Sequence, residues 1–327
     1  MRIAIIGATG MLGQHAARAA LDAGHELLLT YRSEKSLSRL QGLRFDRTQA
    51  DLDDRAALTR ALQGVDGVIN AAAYYPTVPR PWREEVATAR AQMENFYAAA
   101  EAAKVGRILY LGGAIALPKR SDGRPADGSE RYVGEPANRN AYVQVKWAMD
   151  ELSLQKASAG LPVLIGIPSM TFGEYDWGPS TGQFITGIAS GQLKKYVRGN
   201  RNVVYAGDAG RGLILALERG TPGRRYLLTG VNTDMDTVTA TIARIAGMPA
   251  PTPAPLAVAS TVSRLQNWRY RVFGGALPTI PETAIAVMSA GQHLDGSAAQ
   301  ALGYESRVGL EEAVTRALHW FRAQRMC

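Results

Sequence analysis

MRIAIIGATGMLGQHAARAALDAGHELLLTYR, residues 1–32, is the stretch that decides the fold. A short apolar run, Ile3 to Ile6, meets glycines at 7, 10 and 13, and an Ala-rich segment with helical periodicity follows from Met11 to Ala23. The order is strand, tight turn, helix. Glycine in such a turn leaves backbone N–H groups open to a diphosphate, and the helix N-terminus behind them supplies a partial positive charge. Gly7, Thr9, Gly10, Met11 and Leu12 are therefore the candidate contacts of a dinucleotide. A glycine triplet alone is a weak signal, but Gly24-His25-Glu26 and a second apolar run, Leu27 to Thr30, give it the setting of a strand–helix–strand unit.

Composition narrows the class. The 327 residues suffice for one large or two modest domains. No apolar run reaches the roughly 18 residues of a membrane span, and the first strand follows Met1 too closely for a signal peptide, so a cytoplasmic protein is expected. The single cysteine, Cys327, excludes an intramolecular disulfide. His15, His25, His293 and His319 lack metal-ligand spacing, and no metal is expected. The formal charge of +8 is spread along the chain without basic runs, which argues against nucleic acid and agrees with an anionic cofactor.

Further strand–helix units follow. The second strand ends in Thr30-Tyr31-Arg32-Ser33, without the carboxylate that would bind an unphosphorylated ribose. Arg32 and Ser33 instead offer donors for a 2′-phosphate, which favours NADP(H) over NAD(H); the alternative is a surface arginine paired with Glu34. Leu43 to Phe45 reads as a third strand, Asp51 and Leu52 as its exit beside the adenine, and Val65 to Asn70 as a fourth strand. Ala71, Ala72 and Ala73 permit close approach of a cofactor or simply pack. Tyr74, Tyr75 and Trp82 line a substrate pocket or brace a loop. Glu84 to Val105 reads as a long helix and Arg107 to Leu111 as the fifth strand. Gly112-Gly113-Ala114 then opens a long polar connection, Pro118 to Arg139, whose length suggests a lid. The next helix, Ala141 to Ser158, carries Tyr142 and Lys146 four residues apart and so on one face. A cation beside a phenol favours phenolate and suits the pair to acid–base chemistry, although the spacing is common by chance.

The ordered set Gly7-Ala8-Thr9-Gly10-Met11-Leu12-Gly13, Asp51-Leu52, Asn70 to Ala73, Tyr142/Lys146, the Leu161 to Gly173 stretch LPVLIGIPSMTFG, and a tail with Leu294-Asp295-Gly296-Ser297, Leu302-Gly303-Tyr304 and His319-Trp320-Phe321 covers nearly the whole chain. It resembles the extended short-chain dehydrogenase/reductase superfamily, nearest its dihydroflavonol reductase-like and nucleoside-diphosphate-sugar epimerase-like members. The resemblance implies a Rossmann doubly wound parallel sheet over residues 1–170, with 202–220 returning to it. It also implies a smaller, interleaved substrate domain from 171–201 and 221–327, and a homodimer paired through the two long helices. Tyr142 would be the general acid/base. Lys146 would lower its pKa and hold the nicotinamide ribose, with Pro168, Met170 and Thr171 at the nicotinamide end.

Two departures stand out. Gly113 occupies the place of the usual Ser or Thr after the fifth strand, so a Gly113 or Ala114 N–H, Thr171, Tyr74 or Tyr75 would have to replace that donor. The family's helical asparagine falls on Ala89, with Asn95 about two turns on. Phe172, Tyr175 and Trp177 precede a helix near Thr181 to Ser190, and Phe172 and Trp177 are expected at the substrate or in packing. Pro251 to Gly275 reads as a basic amphipathic helix that lies on a membrane or caps the pocket; its short apolar portion favours the cap. The first functional expectation is an NADPH-dependent oxidoreductase acting on the carbonyl or alcohol of a small aromatic or alicyclic metabolite. The alternatives are a non-redox nucleotide-sugar epimerase or isomerase and a cofactor-binding regulator without turnover.

Overall fold

The computed structural model describes residues 1–72, 74–76, 78–178 and 181–327. Its strands are β1 (Arg2–Ile6), β2 (Glu26–Tyr31), β3 (Asp46–Gln49), β4 (Gly67–Asn70), β5 (Arg107–Leu111), β6 (Val163–Pro168), β7 (Met170–Phe172), β8 (Lys195–Tyr196), β9 (Asn200–Tyr205), β10 (Arg225–Leu228), β11 (Val231–Asp234) and β12 (Thr252–Pro253). Its helices are α1 (Met11–Asp22), α2 (Arg55–Ala61), α3 (Trp82–Ala102), α4 (Ala141–Ser158), α5 (Gln183–Ala189), α6 (Ala206–Arg219), α7 (Met235–Ala246), α8 (Leu256–Phe273), α9 (Glu282–Ser289), α10 (Ser297–Gln300) and α11 (Leu310–Ala323).

Seven parallel strands form the central sheet in the order β10-β6-β5-β4-β1-β2-β3. The inner strands are apolar along their length because both faces are covered. Alternate side chains serve opposite layers. Ala4, Ile6, Val68, Ile108 and Tyr110 meet Met93, Phe96 and Tyr97 of α3 and Val145 and Met149 of α4. Ile3, Ile5, Ile69 and Leu109 meet Ala16 and Ala20 of α1 and Leu213 and Leu217 of α6. The direction of winding reverses between β1 and β4, which opens a crevice at their carboxyl ends, where such sheets bind ligands. This is the expected doubly wound Rossmann architecture.

A smaller unit packs beside it. β9 lies between β7 and β11, and α5, α7 and α11 close over a core that includes Phe172, Ile185, Val238, Ile242, Val314 and Phe321. The interleaving differs from the sequence expectation. Residues 202–205 belong to β9 of this small sheet, and only α6 of the 202–220 segment packs on the main sheet. Conversely β10, expected in the substrate portion, pairs with β6 at the edge of the main sheet. NVVY and RYLL are both short buried apolar runs, and a run's pattern does not name its partner strand. The third strand forms at Asp46–Gln49 rather than Leu43 to Phe45; it is a largely exposed edge strand, so hydrophobicity does not mark it.

The connection from Pro118 to Arg139 is tied down. Ala126 bridges Leu294, with its N–H donating to the His293 carbonyl at 3.0 Å. Arg120 pairs with Asp122 at 2.8 Å and Glu130 at 3.0 Å. Gln144 donates to the carbonyls of Pro136 and Asn138, both at 2.8 Å. The segment is a strap rather than the free lid its length suggests.

Candidate active site

The glycine turn is organised by close approach. Gly7 has φ +85°, and a Cβ there would lie 2.7 Å from the Ala72 nitrogen and 2.8 Å from the Ala71 carbonyl carbon. A Cβ on Gly13 would collide with the Gly7 carbonyl, so α1 is seated directly on the turn. Gly10 is different. It caps α1 with its side opening to free space, its nearest neighbour being the Gly7 oxygen at 3.6 Å. The N–H groups of Met11 and Leu12 have no partner among the described residues, so the turn fits a diphosphate.

The flanks agree in part. Asn70 is fully buried and its Oδ1 accepts from the Ala72 N–H at 3.1 Å, which fixes the chain beyond β4. Ala71 and Ala72 thus pack against Gly7, while Ala73, expected at the cofactor, lies outside the described residues. Arg32 is 80% exposed and its Nε lies 3.9 Å from Asp51, not beside Glu34. Ser33 immediately precedes the 3-10 helix at Glu34–Leu40, and its side chain makes no capping bond there. Leu52 is buried, and Asn95 donates to its carbonyl at 3.0 Å. Asn95 therefore holds the Asp51-Leu52 corner, a role the sequence does not announce because the bond spans α3 and a loop.

Tyr142 and Lys146 sit on α4, whose first turn is capped by Asn140 accepting from the Tyr142 N–H at 2.9 Å. Lys146 is 6% exposed and its ammonium has no hydrogen-bond partner among the described residues. Burial pushes its pKa down to about 8. Burial, with Tyr75 second, pushes the Tyr142 phenol above its ordinary value. The lysine thus does not lower the phenol as the spacing predicts, and Tyr142 is protonated at neutral pH. Tyr75 stacks at a tilt on Tyr142 with ring centroids 4.8 Å apart and hydrogen-bonds to Thr283 of α9. Ala286, Val287 and Ala290 also pack around Tyr142 and Val143. This cover from α9 is absent from the sequence reading, since ETAIAVMS carries no signal of what it touches.

The groups expected to replace the serine donor narrow. A Cβ on Gly113 would make only ordinary contact with the Lys146 stem, at 3.7–3.9 Å, whereas one on Gly112 would press Ile165 and Ile167 at 3.1 Å. The N–H groups of Gly113 and Ala114 have no partner among the described residues. Tyr74 is committed to Glu85, and burial followed by that bond pushes its pKa up to about 12. The Thr171 hydroxyl donates to the Ser169 carbonyl at 2.9 Å. Pro168 ends β6 and Met170 begins β7, with the Ser169 hydroxyl between them buried and without a partner among the described residues. That orphan, the uncommitted Lys146 and the space at Gly10 fit a bound dinucleotide.

Two expected substrate contacts lie elsewhere. Phe172 is fully buried in the core of the small unit. Trp177 packs edge-on against Trp320, centroids 4.9 Å apart, with the Arg39 guanidinium 5.5 Å over its ring. Both serve packing, because β7 carries the chain directly into the small sheet. A cavity of about 650 Å³ opens between α8, α9 and the starts of α3 and α4, lined by Arg80, Arg139, Arg264 and Arg271 among others. It reaches Ala141 but not Tyr142 or Lys146.

Residues 3–228 match the model of the NAD dependent epimerase/dehydratase family. A putative dihydroflavonol 4-reductase of Synechocystis sp. is 28% identical over 97% of this chain and 94% of its own. The sterol demethylase protein B of Methylococcus capsulatus is 26% identical over the full length of both. A crystal structure of a nucleoside-diphosphate-sugar epimerase from Pseudomonas aeruginosa is 43% identical, with TM-score 0.87, covering 100% of this chain and 99% of that one. With its sheet, glycine turn and ordered motifs, the chain belongs to the NAD dependent epimerase/dehydratase family, within the extended short-chain dehydrogenase/reductases.

Proposed function

We propose that the protein is an NADPH-dependent reductase of a small, largely apolar ketone or aldehyde, running in reverse as an alcohol dehydrogenase. The observation that carries this reading is the buried, uncommitted Lys146 one helical turn from a protonated Tyr142. Tyr142 gives its proton to the carbonyl oxygen, Lys146 holds the nicotinamide ribose, and the Gly113 and Ala114 N–H groups take the role of the usual serine hydroxyl. A bound nicotinamide supplies the hydride. Tyr75 and α9 exclude water from the phenol. Aromatic and aliphatic neighbours around the phenol suit an apolar substrate of aromatic or alicyclic type. Arg32 and Ser33, with no acidic residue ending β2, support NADPH over NADH. Relatives named as reductases support the redox reading. On the same reading two copies pair through α3 and α4.

One observation favours a second reading, in which sugar-nucleotide epimerisation is the net reaction: the arginine-lined cavity beside α4 together with the 43% identical protein named as an epimerase. One experiment separates them. NADPH and NADH oxidation is followed with a panel of aromatic, alicyclic and aliphatic carbonyls, beside UDP- and dTDP-sugars assayed for epimers, in wild type and Tyr142→Phe. Carbonyl turnover that prefers NADPH and falls about a thousandfold in the variant is expected. Epimer formation without net NADPH consumption would overturn it.

A further inference from the structure

Helix α8 is built inside out. Its inward face is polar: Ser263 and Asn267 are each 1% exposed, and the Ser263 hydroxyl donates to the Ile280 carbonyl at 2.8 Å. Asn267 donates to the Ser263 carbonyl at 2.8 Å, and Gln266 accepts from the Ile280 N–H at 3.0 Å. Its outward arc is largely apolar, with Thr261 and Arg269 exposed among the apolar side chains. Val258, Val262, Leu265, Trp268, Val272 and Phe273 are between 39% and 73% exposed. At 3.6 residues per turn they share one side of a helix whose 18 residues extend about 27 Å. Among the described residues, eight of the twelve exposed large hydrophobics lie between Leu256 and Leu277, so this is a patch and not scatter.

Charge selects what covers the patch. The sequence has no Asp or Glu between Asp236 and Glu282, while α8 carries Arg264, Arg269 and Arg271. Glu282 is already paired with Arg271 at 2.9 Å. A two-fold contact between copies through this face would set arginines against arginines with no carboxylate to match them. An anionic lipid surface supplies the missing negative charge, accepts the apolar arc into its acyl boundary, and suits a tryptophan and long arginine stems at the headgroup level. No described helix is long and apolar enough to cross a membrane, so the helix lies in the surface rather than spanning it.

We propose that α8 docks the protein on an anionic lipid bilayer with its axis in the plane of the membrane. α8 packs on α9, and α9 covers Tyr142, so a docked bilayer lies one helix away from the phenol. An apolar substrate then enters from the lipid; this consequence rests on the reductase reading, whereas docking does not.

The test is flotation of the full-length protein with vesicles of phosphatidylcholine alone and of phosphatidylcholine mixed with phosphatidylglycerol. Binding to the mixed vesicles that weakens with added salt is expected. Leu265→Glu with Trp268→Glu should reduce it more than about tenfold, and Arg264→Gln with Arg269→Gln by about fivefold per charge. All four side chains are exposed, so circular dichroism and the urea midpoint should match wild type. Absence of binding to the mixed vesicles, or equal binding to both compositions, overturns the proposal. So does a dimer in sedimentation that the Leu265/Trp268 variant dissociates, which would make a second copy the occupant. None of these outcomes depends on turnover, so docking and the reductase reading fail separately.

Discussion

Lys146 is held in a state that folding disfavours, because burial penalises its charge. Its pKa falls from 10.5 to about 8, so the unfolded chain binds that proton more tightly across this window. The stability tied to it is therefore lowest below pH 8 and recovers as pH rises to 10.5. Lys146→Met should stabilise the unliganded protein by about 3 kcal/mol at neutral pH, and the gain should shrink towards zero above about pH 10; urea midpoints at the two pH values check this. A gain that does not depend on pH would place the cost in packing instead. Gly113→Ser tests the donor question beside it. The space at its Cβ and its extended backbone (φ −151°) accept a serine without strain, so kcat is expected to rise about tenfold with stability unchanged. The added hydroxyl then joins the Gly113 and Ala114 N–H groups at the substrate oxygen; a fall would mean that it displaces the oxygen from them. The Tyr142/Lys146 pair is legible in the sequence because its spacing lies along one helix, whereas the departure at Gly113 is visible only against the family resemblance. The roles of Phe172 and Trp177 are not, since an aromatic residue in a turn looks the same whether it faces a ligand or Trp320.

Among elements, the turn between β1 and α1 separates two uses of glycine that a motif treats alike. Gly7 is required by backbone geometry, with a positive φ and Ala72 within contact, whereas Gly10 has φ −88° and open space. Gly7→Ala should therefore cost about 1–3 kcal/mol in urea unfolding, before any cofactor is considered. Gly10→Ala should leave the midpoint within about 0.5 kcal/mol and weaken NADPH binding about tenfold by fluorescence titration, because its methyl group enters the space left for the diphosphate. The reverse pattern would mean that the dinucleotide does not use this turn. Elements with strong apolar runs, β1, β2, β5 and β6, fall where the sequence puts them, because burial on both faces leaves a continuous signal. β3 does not, because an exposed edge strand has no such signal.

At the scale of the molecule, the chain leaves the main sheet after β6 and comes back. The family match ends at Leu228, the last residue of β10, and that strand is what binds the return. Arg225, 5% exposed, lies against Asp150 of α4 and donates to the carbonyls of Gly128 and Glu130, each at 3.0 Å. One guanidinium thus joins the edge strand, α4 and the strap. The chain crosses between the main sheet and the small unit more often than the expected interleaving of 202–220 allows, so 202–205 and 225–228 each fall in the other sheet. Unfolding should be one cooperative transition, with tryptophan fluorescence, which includes Trp177 and Trp320 in the small unit, coinciding with far-ultraviolet circular dichroism. Arg225→Met leaves the Asp150 carboxylate buried alone and should cost about 3–5 kcal/mol, lowering both probes together. Separation of the two curves in the variant alone would make Arg225 the link between units. Separation already in the wild type would mean that the small unit melts independently of the sheet that borders it.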